Sequence, residues 1–172
     1  MSILKLRKYG DPVLRKKAEE IKVIDEEIKN LASDMVATLK SIGGIGLAGN
    51  QVGVAKRIFV IDRTHVDGEE EPLILINPEL LESSGNQVIE EGCLSAPGIY
   101  ENVTRPHKVR VRALNLKGEK VEIEGEGLLS RALLHEIDHL NGVLFLDHLS
   151  TIKRKLLGKK LRKISENRDT GV

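Results

Sequence analysis

The segment His135-Glu136-Ile137-Asp138-His139 holds the residues with the most chemical content in the chain. On a helix, positions i and i+4 lie one above the other on the same face. Two imidazoles so placed can share one divalent ion, and the carboxylate of Glu136 can then move a proton on water beside it. The competing reading is a pair of helix histidines with ordinary hydrogen bonds. The flanking sequence argues against it, because "GLLSRALL" before His135 is apolar around most of its girth, as in a buried helix.

A catalytic metal site wants three protein ligands and an open position, so one ligand must come from elsewhere. In metalloproteases with an extended motif it is a histidine six residues after the second; here that residue is Phe145. Other zinc proteases use a downstream glutamate, and Glu166, in a polar helix tail, is the only one available after His139. Asp147 and His148 are near in sequence, but the helix must end by Gly142 and nothing in the pattern places them. Cys93, the only cysteine, is the remaining strong donor. Its thiolate suits Zn(II) or Fe(II). A lone cysteine is ordinarily a small buried hydrophobe, but Glu91, Gly92 and Ser95 make a poor apolar wall, which favours the ligand.

These side chains need elements to hold them. Ile28, Leu31, Met35, Leu39 and Ile42 recur at three- and four-residue spacing, predicting a helix capped by Asp25 and stopped by Gly43-Gly44. "RIFVID" and "LILIN" predict short buried strands. "VRVRALNLKGEKVEIEGE" alternates on both sides of Lys117-Gly118 and predicts a β-hairpin. The helix bearing the histidines should stop at Asn141-Gly142, and a basic helix should run over 150–167. Strands in the middle and helices at both ends predict one α+β domain spanning 1–172, its sheets surrounding the histidine helix.

Composition narrows the class. The chain has 172 residues, 40% of them hydrophobic and 31% charged, enough for a core. Formal net charge is +1, so no global field draws the chain to nucleic acid or membrane. No apolar run approaches the roughly 18 residues of a membrane span, and "MSILKLRKYG" does not read as a signal peptide. With one cysteine and no internal disulfide, the expected location is a reducing, cytoplasmic compartment. Gly44, Gly46 and Gly49 match G-x-G-x-x-G. A helix precedes them where a nucleotide site needs a strand, so they are read instead as room for a substrate backbone.

Three segments in order, "GIGLAGNQVG" (44–53), "EGCLS" (91–95) and "HEIDH" (135–139), resemble the motifs of the peptide deformylases. The likeness runs through nearly the whole chain, including "GDPVLR", "LINPEL" and "HLNGVLFLDHLS". One departure is Gly49, where the family usually has alanine, expected to loosen packing slightly. The resemblance implies an α+β fold and removal of the formyl group from the formyl-methionine of new chains. It implies Cys93, His135 and His139 as metal ligands, Glu136 as acid/base, and Gln51 with Leu94 as oxyanion donors. Ile45, Gly46, Ile89, Gly92, Leu128 and Ala132 would meet the substrate, with Arg105 near the cleft. The implied cofactor is one divalent ion, physiologically Fe(II), replaceable by Zn(II), Ni(II) or Co(II). Asp138 is expected to hold a basic partner such as Arg112.

The basic helix presents seven Lys and Arg between 153 and 163, with Leu156, Leu157 and Leu161 expected to pack on the domain. The resemblance implies ribosome docking there; a solvated basic face is the plainer alternative. No membrane partner is expected and the oligomeric state is left open. Two other functional classes remain at this point, a metallo-endopeptidase and a non-catalytic RNA-binding module with a structural metal. A structural zinc wants four protein ligands, one more than this chain clearly offers.

Overall fold

The run Ile58–Ile61 is buried at every position, so this strand needs apolar cover on both faces. The computed structural model, which describes residues 1–169, supplies it. Strands are numbered in chain order: β1 (Gly46–Ala48), β2 (Ile58–Ile61), β3 (Leu73–Ser84), β4 (Gln87–Cys93), β5 (Ala96–Arg105), β6 (Lys108–Leu114) and β7 (Lys120–Glu126). The helices are α1 (Glu26–Ile42), α2 (Leu128–Leu140) and α3 (Thr151–Glu166). One antiparallel sheet has the order β1-β2-β3-β6-β7, and β4-β5 form a separate hairpin. Phe59 and Ile61 of β2 pack with Leu133 and Leu140 of α2. Ile58 and Val60 join Ile28, Met35 and Leu39 of α1. The fold is α+β, as expected.

Local signals act where the chemistry predicts. The Asp25 side chain accepts the Ile28 N–H at 3.0 Å and starts α1. Gly43 ends it in the left-handed region at φ 77°, where a side chain would be strained. Ser150 caps α3 by accepting from Lys153 N–H at 3.2 Å. A third apolar cluster joins Ile99 and Val103 of β5, Phe145, and Leu157 and Leu161 of α3.

Three expectations change. Leu156 does not pack on the domain: it is 78% exposed, and Ile152 is 72% exposed. The buried stripe of α3 runs through Leu157 and Leu161, and Leu156 is rotated out of it by about 100°. Gly49 does not loosen anything. A Cβ there would lie 2.6 Å from the Val54 carbonyl oxygen and 2.7 Å from that of Lys56, so the tight turn after β1 leaves no space. Asp138 is not paired with Arg112, which instead bonds Glu122 on β7 at 3.1 Å.

Candidate metal centre and active site

Helix α2 carries the two histidines into the interior between the sheet and the β4-β5 hairpin. Ten of its residues are buried, among them His135, Glu136 and His139. Strand β4 ends at Cys93, where a register shift after Gly92 bends the chain. That bend brings the thiol to the imidazoles: Cys93 Sγ lies 3.3 Å from His139 Nε2, and the two Nε2 atoms are 3.2 Å apart. Ligand atoms of Cys93, His135 and His139 all fall within 4.8 Å of one another, the one such group of three among the described residues.

The donor set fits a metal. His135 Nδ1 meets Glu91 Oε1 at 2.5 Å, which places the N–H on Nδ1 and aims the Nε2 lone pair at the centre. Two imidazole nitrogens and a sulfur converging at that distance repel unless a cation or proton lies among them. Burial works against a charged His135, but the hydrogen bonds it donates to Cys93 and Glu91 outweigh it and push its pKa well up. The same acceptors attract a metal cation in the proton's place. Burial, reinforced by the positive charges of His135 and Arg105, pushes His139 well down, so it is neutral and ready to ligate.

Glu91 is held as firmly as it holds. Arg105 Nε and Nη2 donate to its two oxygens at 2.9 and 2.7 Å, and both side chains are 4% exposed. Burial alone would raise the Glu91 carboxyl; hydrogen bonds from Arg105 and His135 overcome it and bring the pKa down to about 2. Arg105 Nη1 also donates to Asp138 Oδ2 at 2.9 Å, and His148 Nε2 meets the same oxygen at 2.8 Å. Arg105 is therefore spent inside the fold and lies off the cleft wall where it was expected. Ile89 is also off it, since the wall along β4 runs from Glu90 to Leu94. Glu91 went unnoticed as a functional residue in the sequence. The two-residue spacing from Cys93 would share a face on a regular strand, but the register shift after Gly92 interrupts that alternation, so no local signal marks it.

The cleft beside the centre has a volume of about 800 Å³. Its walls include Ile45, Gly46, Gln51, Gly92, Leu94, Leu128, Ala132 and Glu136. Burial pushes the Glu136 carboxyl up to about 7, and its Oε2 has no hydrogen-bond partner. Gly46 makes room for it, because a Cβ there would collide with Glu136 Oε1. Gln51 is oriented by its own turn: Oε1 accepts the Ala48 N–H at 2.9 Å. Its Nε2 then faces Ser95 Oγ at 3.1 Å and Cys93 Sγ at 3.6 Å. Leu94 follows Cys93 in the β4-β5 turn, and a Cβ on Gly44 would come within 2.8 Å of its side chain.

The other third-ligand candidates are engaged elsewhere. Phe145 stacks on His135 with ring centroids 6.1 Å apart. Asp147 accepts from Arg15 Nη1 at 2.6 Å. Glu166 is exposed in the last turn of α3.

The sequence model of polypeptide deformylases matches residues 3–155. The chain belongs to that family. It is 55% identical over 147 residues to a peptide deformylase of Clostridium botulinum, covering 86% of this chain and 97% of the relative. A peptide deformylase of Acidobacterium capsulatum is 48% identical over 164 residues, covering 95% and 96%. The crystal structure of a peptide deformylase from Legionella pneumophila superposes with a TM-score of 0.89 at 44% identity, covering 96% of each chain. The chain is thus a hydrolase of the deformylase type, and its cysteine-histidine cluster is compatible with a metal.

Proposed function

We propose that the cleft removes the formyl group from N-terminal formyl-methionine of newly made chains, releasing formate, with each site residue in a distinct role. The observation that carries this reading is the convergence of Cys93, His135 and His139 beside a buried, uncompensated Glu136 at the floor of an apolar cleft. Those three residues would hold one divalent ion. Bound there, such an ion supplies a Lewis acid for the formyl oxygen and lowers the pKa of water.

Glu136 accepts a proton from the attacking water and returns it to the leaving amine, a task suited to a carboxyl with a pKa of about 7. Gln51 Nε2 and the Leu94 backbone N–H donate to the oxyanion as negative charge develops; one such donor is typically worth about 2.7–4 kcal/mol of barrier. Glu91 and Arg105 hold His135 in the tautomer that leaves Nε2 free. Leu128 and Ala132, about two turns and one turn before His135, receive the methionine side chain, and Gly92 and Ile45-Gly46 border the peptide backbone. Strand β1 ends the large sheet, so an extended peptide can add to its open side.

Fe(II) is the ion we assign physiologically, with Zn(II), Ni(II) or Co(II) able to replace it. Among the described residues no helix is long and apolar enough to cross a membrane, and we place the enzyme in the cytoplasm, where formylated chains emerge. The exposed cations of α3 are assigned to ribosome docking. The test is formate release from formyl-Met-Ala-Ser beside cleavage of an internal-bond peptide, with bound metal measured on anaerobically prepared protein. Formate release without internal cleavage supports the reading. Internal cleavage without formate release refutes it.

A further inference from the structure

Arg131 stands in an unusual position. It lines the cleft and is half-buried. Its Nη1 donates to the backbone carbonyl of Glu90. Among the described residues no carboxylate pairs with it. Arg105, also withdrawn from solvent, has Glu91 and Asp138. Arg57 has the Leu140 carbonyl and Asn141 Oδ1 at 3.3 and 3.1 Å, at the negative end of α2. Arg131 is at the opposite end of that helix. It lies near the start of α2, where the helix dipole is positive, and no acidic residue stands in the first turn. Burial lowers its pKa; the nearby charge of Glu91 opposes that, and the like-signed Arg105 adds to it. Partial desolvation and the dipole act against a cation here, and Glu91, whose oxygens are bonded to Arg105 and His135, offsets them only at a distance. A carboxylate entering the cleft would relieve both by pairing directly, because a guanidinium has several N–H donors and only one is used.

Position on the helix indicates which part of a substrate it meets. Arg131 precedes His135 by one turn and shares its face, and Leu128 and Ala132 lie on the same end of α2. A first side chain packed on Leu128 and Ala132 leaves the guanidinium for the residues that follow. We propose that Arg131 is a specificity-determining residue that favours substrates with acidic side chains in the two positions after the first methionine. This rests on peptides entering the cleft as described above.

The test compares kcat/KM for formyl-Met-Asp-Asp and formyl-Met-Lys-Lys at low ionic strength. Formyl-Met-Ala-Ser is run alongside, so that loss of deformylation itself is seen separately. Wild-type protein should favour the acidic peptide by roughly ten-fold, mostly through KM, and less so as salt rises. Arg131→Lys should keep the preference, and Arg131→Gln should bring the two peptides within about two-fold of each other. The ratio is internal to each variant, so a general loss of activity or folded protein cancels. A wild-type ratio near one or favouring lysine would overturn the proposal. So would the same acidic preference in Arg131→Gln as in wild type.

Discussion

Helices α2 and α3 are similar in length and opposite in exposure. Ten of the residues in α2 are buried, against two in α3. Enclosure in α2 shifts the titration of Glu136 and His139, lifting the first and depressing the second. On α3 the cations stay in water, and the pair between Lys153 and Glu101 at 3.5 Å is of the exposed kind that stabilises little. The contrast teaches where chemistry and docking can sit. A proton-transfer group needs a site that burial can tune, whereas a surface for a polyanion needs charges kept solvated and mobile. Substitutions in α2 should therefore cost rate or metal, and charge substitutions in α3 should cost neither.

The largest effect belongs to Glu136. Glu136→Gln keeps the shape and loses the proton carrier, so turnover should fall by roughly 10²–10⁴-fold while metal content is kept. Near-normal rates in a metal-replete variant would move proton transfer away from α2.

Next is Glu91, which connects the hairpin to α2. Glu91→Gln should weaken metal affinity by roughly 10–100-fold, as expected when the partner of a ligating histidine is lost; competition with a chelator would measure it. The same change should alter acid stability. The folded carboxyl titrates at about 2 instead of its ordinary 4.5, so its contribution is full above about 4.5 and is lost as pH falls through about 2. That difference integrates to roughly 3 kcal/mol. In metal-free protein, denaturant titrations should show a shallower dependence of stability on pH between those values in Glu91→Gln. An unchanged slope would mean that Glu91 is not held as the structure indicates.

How much of this was legible beforehand follows from the range of each signal. The metal helix was readable because its two histidines and its apolar face are both set by one local period. Asp25, Gly43 and Gly142 marked helix ends through capping chemistry that acts over a few residues. The role of Glu91 depends on pairing with Arg105 across the β4-β5 hairpin and on α2 docking beside it. No local pattern encodes that meeting. Arg105 was misplaced for the same reason: a charged residue was expected at a cleft, and two carboxylates distant in sequence draw it inside. Leu156 shows a limit of another kind. Its spacing fits an amphipathic helix, but which stripe faces the core depends on the angle at which α3 meets β5.

The smallest expected effect separates the two helices most cleanly. Replacing Lys153, Arg154, Lys155, Lys159, Lys160, Arg162 and Lys163 by Gln keeps Leu157 and Leu161 in the core. Hydrolysis of a free formyl-peptide should change by less than about two-fold, since exposed charges act weakly over distance in salt. Ribosome affinity, measured at matched salt, should fall, and its salt dependence should flatten because fewer counterions are released. Affinity unchanged in that variant would remove docking from α3.

The central claim is that one metal, held by Cys93 together with the two α2 histidines, is what deformylation depends on. The direct measurement is anaerobic titration of metal-free protein with Fe(II) or Co(II), following formate release and bound metal in the same samples, for wild type and Cys93→Ser. Wild type should gain activity in proportion to metal up to about one ion per chain, and Cys93→Ser should lose tight binding and activity together. A Cys93→Ser protein that binds and turns over like the parent would contradict the account.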